Sequence, residues 1–164
     1  MKFSVALIVI SAAFAVSLET QKGTLVEELT ENTFDNYLTV SNLAIVDFFA
    51  PWCPHCKSFA PEYEQAASKA QAEKLNAFFA KVDCAGSGKS LCSKLDIKFL
   101  PTVRLFRDGK PLGDYSGERS ADAVLEFLQK AIKAPNDMKL TMSDDISGTP
   151  PDVTPWHADD KKSH

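Results

Sequence analysis

Hydrophobic and polar positions change period along the chain, and those changes mark its elements. Residues 43–49, Leu-Ala-Ile-Val-Asp-Phe-Phe, are a near-continuous apolar run, the mark of a central strand covered on both faces. From Pro54 to Lys74 the period becomes helical. Phe59, Tyr63, Ala66, Ala67 and Ala70 share one face, and Glu62, Glu64, Lys69 and Glu73 fall mostly elsewhere. Pro61 cannot donate a backbone hydrogen bond, so it either kinks this helix or begins a second one. Upstream, Gln21 to Leu29 predict a linker and a short strand. Thr30 to Thr33 have helix-start character, and Phe34, Tyr37 and Leu38 share a face. Downstream, residues 77–82 predict a second buried strand, Lys89 to Leu95 a short helix, and Thr102 to Phe106 a third long strand. Arg107-Asp108-Gly109-Lys110 carries a hairpin signal, with Leu112 to Tyr115 returning antiparallel. Ser120 caps a last helix whose apolar face is Ala123, Val124, Phe127, Leu128 and Ile132. This order predicts an α/β protein: a central mixed β-sheet flanked by helices on both faces.

Composition narrows the class. A chain of 164 residues, 45% apolar and 24% charged, accommodates one globular domain with appendages. Its net charge is −4 without a basic block, which argues against nucleic acid as a partner. Residues 1–17 read as a secretory signal peptide: Lys2 starts it, Phe3 to Ile10 give a short apolar core, and Ala13-Phe14-Ala15 or Ala15-Val16-Ser17 offers a cleavage site. The apolar run is too short for a bilayer span, so no membrane association is expected once it is removed. Residues 18–134 then make the folded domain. Beyond Ala134 come Pro150, Pro151, Pro155 and many Asp, Ser and Thr, with Trp156 the only aromatic residue. Residues 135–164 are therefore expected to be a disordered tail. All four cysteines would face an oxidising compartment.

The candidate chemistry is concentrated in Cys53-Pro54-His55-Cys56, between the apolar strand and the helical period. A helix start offers unpaired N–H groups and partial positive charge that favour a thiolate, the nucleophilic form of cysteine. His55 adds a positive partner when protonated, and Pro54 stiffens the helix start. Structural zinc wants four ligands, and Cys84 and Cys92, eight apart, lack the needed spacing. A purely structural bridge across so small a loop restricts the unfolded chain little. Thiol–disulfide exchange fits best. Cys53, first in the motif, is expected to be the more exposed sulfur and the nucleophile, and Cys56 the resolving thiol. Asp47 is a charge inside an apolar strand. Burial should raise its pKa and make it a proton acceptor for Cys56. The Gly86-Ser87-Gly88-Lys89-Ser90 cluster lacks the glycine spacing of a phosphate loop.

Ala50-Pro51-Trp52-Cys53 through Cys56-Lys57, with Asp47 upstream and Leu100-Pro101-Thr102 downstream, resembles the catalytic domain of the protein disulfide isomerase family, in the thioredoxin superfamily. The resemblance covers roughly residues 24–134. It implies a thioredoxin fold and an oxidoreductase that forms, reduces or rearranges disulfides, with no metal and no organic cofactor. It implies that Lys81 pairs with the buried acid and that Pro101 is cis, beside the cysteines. Leu100 and Thr102 would frame a substrate groove, and Trp52, Pro54 and Pro101 would also bind substrate. Arg119 would swing toward the site to help deprotonate Cys56. Cys53–Cys56 would be the redox-active disulfide and Cys84–Cys92 a structural one. The implied partners are cysteine-containing client proteins, with glutathione or an upstream thiol oxidase as redox partner, and the chain is expected to be a monomer. Pro54-His55 departs from the family's usual Gly-His and matches its strongly oxidising bacterial periplasmic members, which bears on redox poise. Lys161-Lys162-Ser163-His164 does not match the Lys/His-Asp-Glu-Leu retention signal, so the endoplasmic reticulum lumen and secretion both stay open. The competing function is a redox-inactive, chaperone-like or secreted binding module that uses the groove beside Pro101.

Overall fold

The computed structural model describes residues 24–134 and the backbone of residues 154–155. The expected signal peptide at 1–17 and most of the expected tail lie outside the described residues.

Five strands make the main sheet: β1 (Val26–Leu29), β2 (Leu43–Phe49), β3 (Phe78–Asp83), β5 (Thr102–Arg107) and β6 (Lys110–Tyr115), in the order β1-β3-β2-β5-β6. β2 is central because its run is apolar on both faces. It pairs parallel with β3 and antiparallel with β5. β6 returns antiparallel to β5 through a turn in which Asp108 and Gly109 take φ of 50° and 78°, a conformation that suits glycine. The sheet is mixed, as the sequence predicts.

Alternation along β2 divides the core between the two faces. Ala44, Val46 and Phe48 point to one side, where α1 (Glu31–Val40) and α3 (Lys89–Lys94) supply Phe34, Leu38, Leu91 and Cys92. Leu43 and Ile45 point to the other, under α2 (Pro54–Ala72) and α4 (Ala121–Lys133). α1 starts where the Thr33 hydroxyl accepts the Thr30 N–H at 2.9 Å. α2 runs unbroken through Pro61, so that proline does not begin a second helix. It buries Phe59, Tyr63, Ala66, Ala67 and Ala70, the face that its period predicts. In α4 the buried face is Ala121, Val124, Leu125, Phe127, Leu128 and Ala131. Ala123 and Ile132 are not part of it, because α4 packs on α2 along a stripe that passes through Leu125 and Ala131 instead. The Ser120 side chain accepts the Ala123 N–H at 3.4 Å, as an N-cap should.

Two short strands stand apart from the main sheet. β4 (Phe99–Leu100) pairs antiparallel with β7 (Thr154–Pro155), placing Phe99 opposite Pro155 and Leu100 opposite Thr154. Two residues of the expected tail thus take part in a described strand pairing.

Candidate active site

β2 ends at Phe49, and the chain turns through Ala50 to Trp52 into α2, with Cys53 as its N-cap and Pro54 at the first helical position. Proline is at home there, since its missing N–H would have no helical partner anyway. Cys53 has extended backbone angles, φ −74° and ψ 119°, and its carbonyl accepts the Lys57 N–H at 3.1 Å. The sulfur therefore sits at the positive end of a 19-residue helix. Cys56 lies one turn in, with its thiol close enough to Cys53 to feel it. Both cysteines are in the free dithiol form. Burial, foremost, together with Cys53 and Asp47 nearby, pushes the Cys56 thiol well up, against a lowering hydrogen bond from the Ala50 backbone. A cysteine held protonated so firmly needs a base before it can attack.

Asp47 supplies a candidate base. It is buried in the middle of β2, and its Oδ1 has no hydrogen-bond partner among the described residues. Burial raises its carboxyl from 3.8 to about 7, while Arg119 and, less strongly, Lys81 pull it down. Two positive side chains thus act on the acid without overcoming its desolvation. Lys81 does not follow the simple expectation of a pair with Asp47. Its ammonium forms an ion pair with Glu28 at 3.6 Å and lies 5.8 Å from the centre of the Phe49 ring. The cause is register: on β3, Lys81 stands between Glu28 on β1 and Asp47 on β2, and the more exposed partner holds it without desolvating either charge.

The Leu100–Pro101 peptide bond is cis, as the family resemblance implies. It brings the Leu100 carbonyl to 3.8 Å from the Cys53 sulfur, which donates to it. A cleft of about 180 Å³ opens beside this turn, lined among others by Phe99, Pro101, Thr102, Tyr115 and Arg119. The Thr102 hydroxyl is turned inward and donates to the Phe99 carbonyl at 2.7 Å. Trp52, 47% exposed, and the exposed Pro54 flank the cysteines on the helix side, with His55 half-buried.

One expectation fails. Cys53 is not the more exposed of the two residues: both are buried, at 0% for Cys53 and 3% for Cys56. The Leu100–Pro101 turn, which is remote in sequence, closes over it. Sequence reasoning also missed Glu28, which reads as an ordinary outward residue of a short strand, and the Phe99–Leu100 edge. The second cysteine pair is joined: Cys84 and Cys92 form a disulfide with Cα atoms 5.6 Å apart. In the loop between them the Asp83 carboxylate accepts the Ala85 and Gly86 N–H groups at 2.8 and 3.1 Å, so those donors are already taken.

A cis proline facing a helix-capped dithiol, on a sheet of this order with a buried acid behind it, defines a thioredoxin-fold dithiol protein. The family profile described as Thioredoxin matches residues 25–130. The chain is 37% identical over 147 residues to the protein disulfide-isomerase of Medicago sativa, covering 88% of this chain and 28% of that one. Among solved structures, the first two thioredoxin domains of Naumovozyma dairenensis Eps1p align with a TM-score of 0.62 at 36% identity, covering 66% of this chain and 41% of that one. The first thioredoxin domain of mouse protein disulfide-isomerase A4 aligns with a TM-score of 0.61 at 31% identity, covering 70% of this chain and 84% of that one. The chain belongs to the thioredoxin family, as a thioredoxin-like domain of the protein disulfide-isomerase type. It spans 28% and 26% of the length of the first two curated relatives, so it corresponds to about a quarter of each.

Proposed function

We propose that this chain is a thiol–disulfide oxidoreductase acting on cysteines of client proteins. The observation that carries this reading is the pair of free thiols at the start of α2, with the Cys53 sulfur donating to the Leu100 carbonyl beside cis Pro101. The Cys53 thiolate attacks one sulfur of a client disulfide. That bond breaks, the departing sulfur takes up a proton, and a mixed disulfide forms. Cys56 then loses its proton to the Asp47 carboxylate and attacks the Cys53 sulfur. The second client thiol leaves, and Cys53–Cys56 closes as a disulfide. The chain loses two electrons to the client, whose two departing sulfurs take up one proton from solvent and the one that Cys56 gave up by way of Asp47. In the opposite direction the closed pair oxidises a client dithiol, and glutathione disulfide or a thiol oxidase restores it.

In this scheme Cys53 reacts from the N-terminal end of α2, while Arg119 and Lys81 favour the ionised form of Asp47. An extended client segment would lie along Leu100, Pro101 and Thr102, with Trp52 and Pro54 against its other side. The leader-like residues 1–17 and the closed Cys84–Cys92 bond support work in an oxidising compartment of the secretory pathway. The binding-module alternative draws on one observation, the burial of the Cys53 sulfur. Insulin reduction and refolding of scrambled ribonuclease separate the two. Cys53→Ser should abolish both activities, and Cys56→Ser should accumulate mixed disulfides. Activity of Cys53→Ser equal to that of the unaltered chain overturns the enzyme reading.

A further inference from the structure

A nucleophile that must meet a protein disulfide is here 0% exposed, although it caps a helix and is flanked by exposed Trp52 and Pro54. Its sulfur is held against the Leu100 carbonyl. The edge of β4 that includes this same Leu100 is occupied: Leu100 stands opposite Thr154, and Phe99 opposite Pro155. An extended peptide that adds to an exposed strand edge binds through its main chain, whatever its sequence. The Thr154–Pro155 backbone already makes the kind of contact that a client strand would make, one residue before the cis Leu100–Pro101 bond.

The sequence of the segment suits that place. Thr154 is β-branched, which favours extended backbone. Pro155 lacks an N–H, so a strand that contains it blunts the edge instead of presenting a further one for pairing. Residues 135–153 separate the end of the domain from this strand. Such a length of chain can span up to about 65 Å, so the contact is within reach of the same molecule.

We propose that Thr154–Pro155 is an internal occupant of the Phe99–Leu100 edge, and that an extended client segment must displace it before Cys53 can be reached. The proposal rests on the thiol-exchange reading of the site. It makes the tail a selectivity device: client segments able to pair as a strand compete for the edge, and those that cannot are excluded. Because the occupant is tethered, its effective concentration at the edge stays high and independent of protein concentration.

The test uses the full chain in its reduced form. Thr154→Pro removes the Thr154 N–H and should undo the pairing. Alkylation of Cys53 by iodoacetamide, followed by mass spectrometry of its peptide, should be at least about tenfold faster in Thr154→Pro than in the unaltered chain, with the thermal midpoint unchanged. Equal alkylation rates overturn the proposal. A second measurement needs no variant: nuclear Overhauser contacts between residues 100 and 154 should be present in the unaltered chain and should fade on titration with a peptide whose cysteine is replaced by serine. Their absence from the unaltered chain also overturns it. Insulin reduction, run in parallel, separates the two failures. Faster alkylation of Thr154→Pro with no insulin reduction by either chain leaves the occupied edge standing and removes the exchange reading.

Discussion

The Lys81 ammonium is held by the Glu28 carboxylate, 3.6 Å away, on the side of β3 away from Asp47. Glu28, Lys81 and Asp47 stand in one lateral row across β1, β3 and β2, so their side chains share a face of the sheet. Glu28 therefore competes with Asp47 for a single cation. Glu28→Gln should free Lys81 to lean toward Asp47 and lower its carboxyl from about 7 by less than about one pH unit, since Glu28 and Lys81 are themselves partly solvated. Arg119→Ala should move it the other way, because Arg119 is the stronger of the two charges acting on Asp47. Carboxyl-carbon NMR titration reads both, and movement in the same direction would contradict this arrangement.

Asp47 governs two pH dependences of opposite sense. As a proton acceptor it must be ionised, so the rate of Cys56 attack should rise through about pH 7. In Asp47→Asn that rise should vanish, and the plateau should fall about a hundredfold, the lower end of what a positioned base supplies. Stability runs the other way. The folded-state value lies above the ordinary 3.8, so the folded chain binds the extra proton between these two values. Stability is full below about pH 4 as far as this group is concerned, and it is lost as pH rises through about 7. The difference amounts to about 4 kcal/mol at pH 8 if the whole shift is realised. Asp47→Asn should therefore be more stable than the unaltered chain at pH 8, with the advantage shrinking toward pH 4. Urea unfolding at the two pH values tests this.

The Tyr63 hydroxyl donates to the Ile45 carbonyl at 2.7 Å, with the Ala80 carbonyl at 3.1 Å. It ties α2 to β2 and β3 directly beneath the site. Tyr63→Phe should cost about 1–2 kcal/mol of stability, because it leaves buried acceptors unsatisfied while changing little volume. Denaturant midpoints measure the loss, and an unchanged midpoint would show that the two carbonyls do not need this donor.

The Cys84–Cys92 bond closes a loop at a sequence separation of 8, which corresponds to about 2–3 kcal/mol of restricted unfolded chain. The double variant Cys84→Ser with Cys92→Ser should lose stability on that scale yet keep insulin reduction, because this pair is closed on itself while Cys53 and Cys56 are the free thiols. Loss of exchange activity in a variant that remains folded would assign the second pair a redox part.

Much of the architecture was legible in the order of residues. β2 could be read end to end because its apolar run is bounded by Asn42 and by Ala50-Pro51, and the α2 face follows directly from its period. Cys53, Cys56 and Asp47 stand out as residue types that their local pattern does not explain. What stayed hidden depends on remote chain segments. Cys53 is covered by a turn 47 residues away, and nothing in its own neighbourhood signals that closure. Glu28 acquires its importance from two neighbouring strands. β4 and β7 have two residues each, too few to show any period. In α4 the apolar face read from the sequence includes Ile132, which the fold leaves 38% exposed.

Cys53 follows within four residues of the end of β2, the strand bonded on both sides at the centre of the sheet. Its position is thereby moored to the part of the molecule that opens last. Heating should therefore extinguish the chemistry and the fold in one transition, with no warm, still-folded form whose reactive end has already frayed.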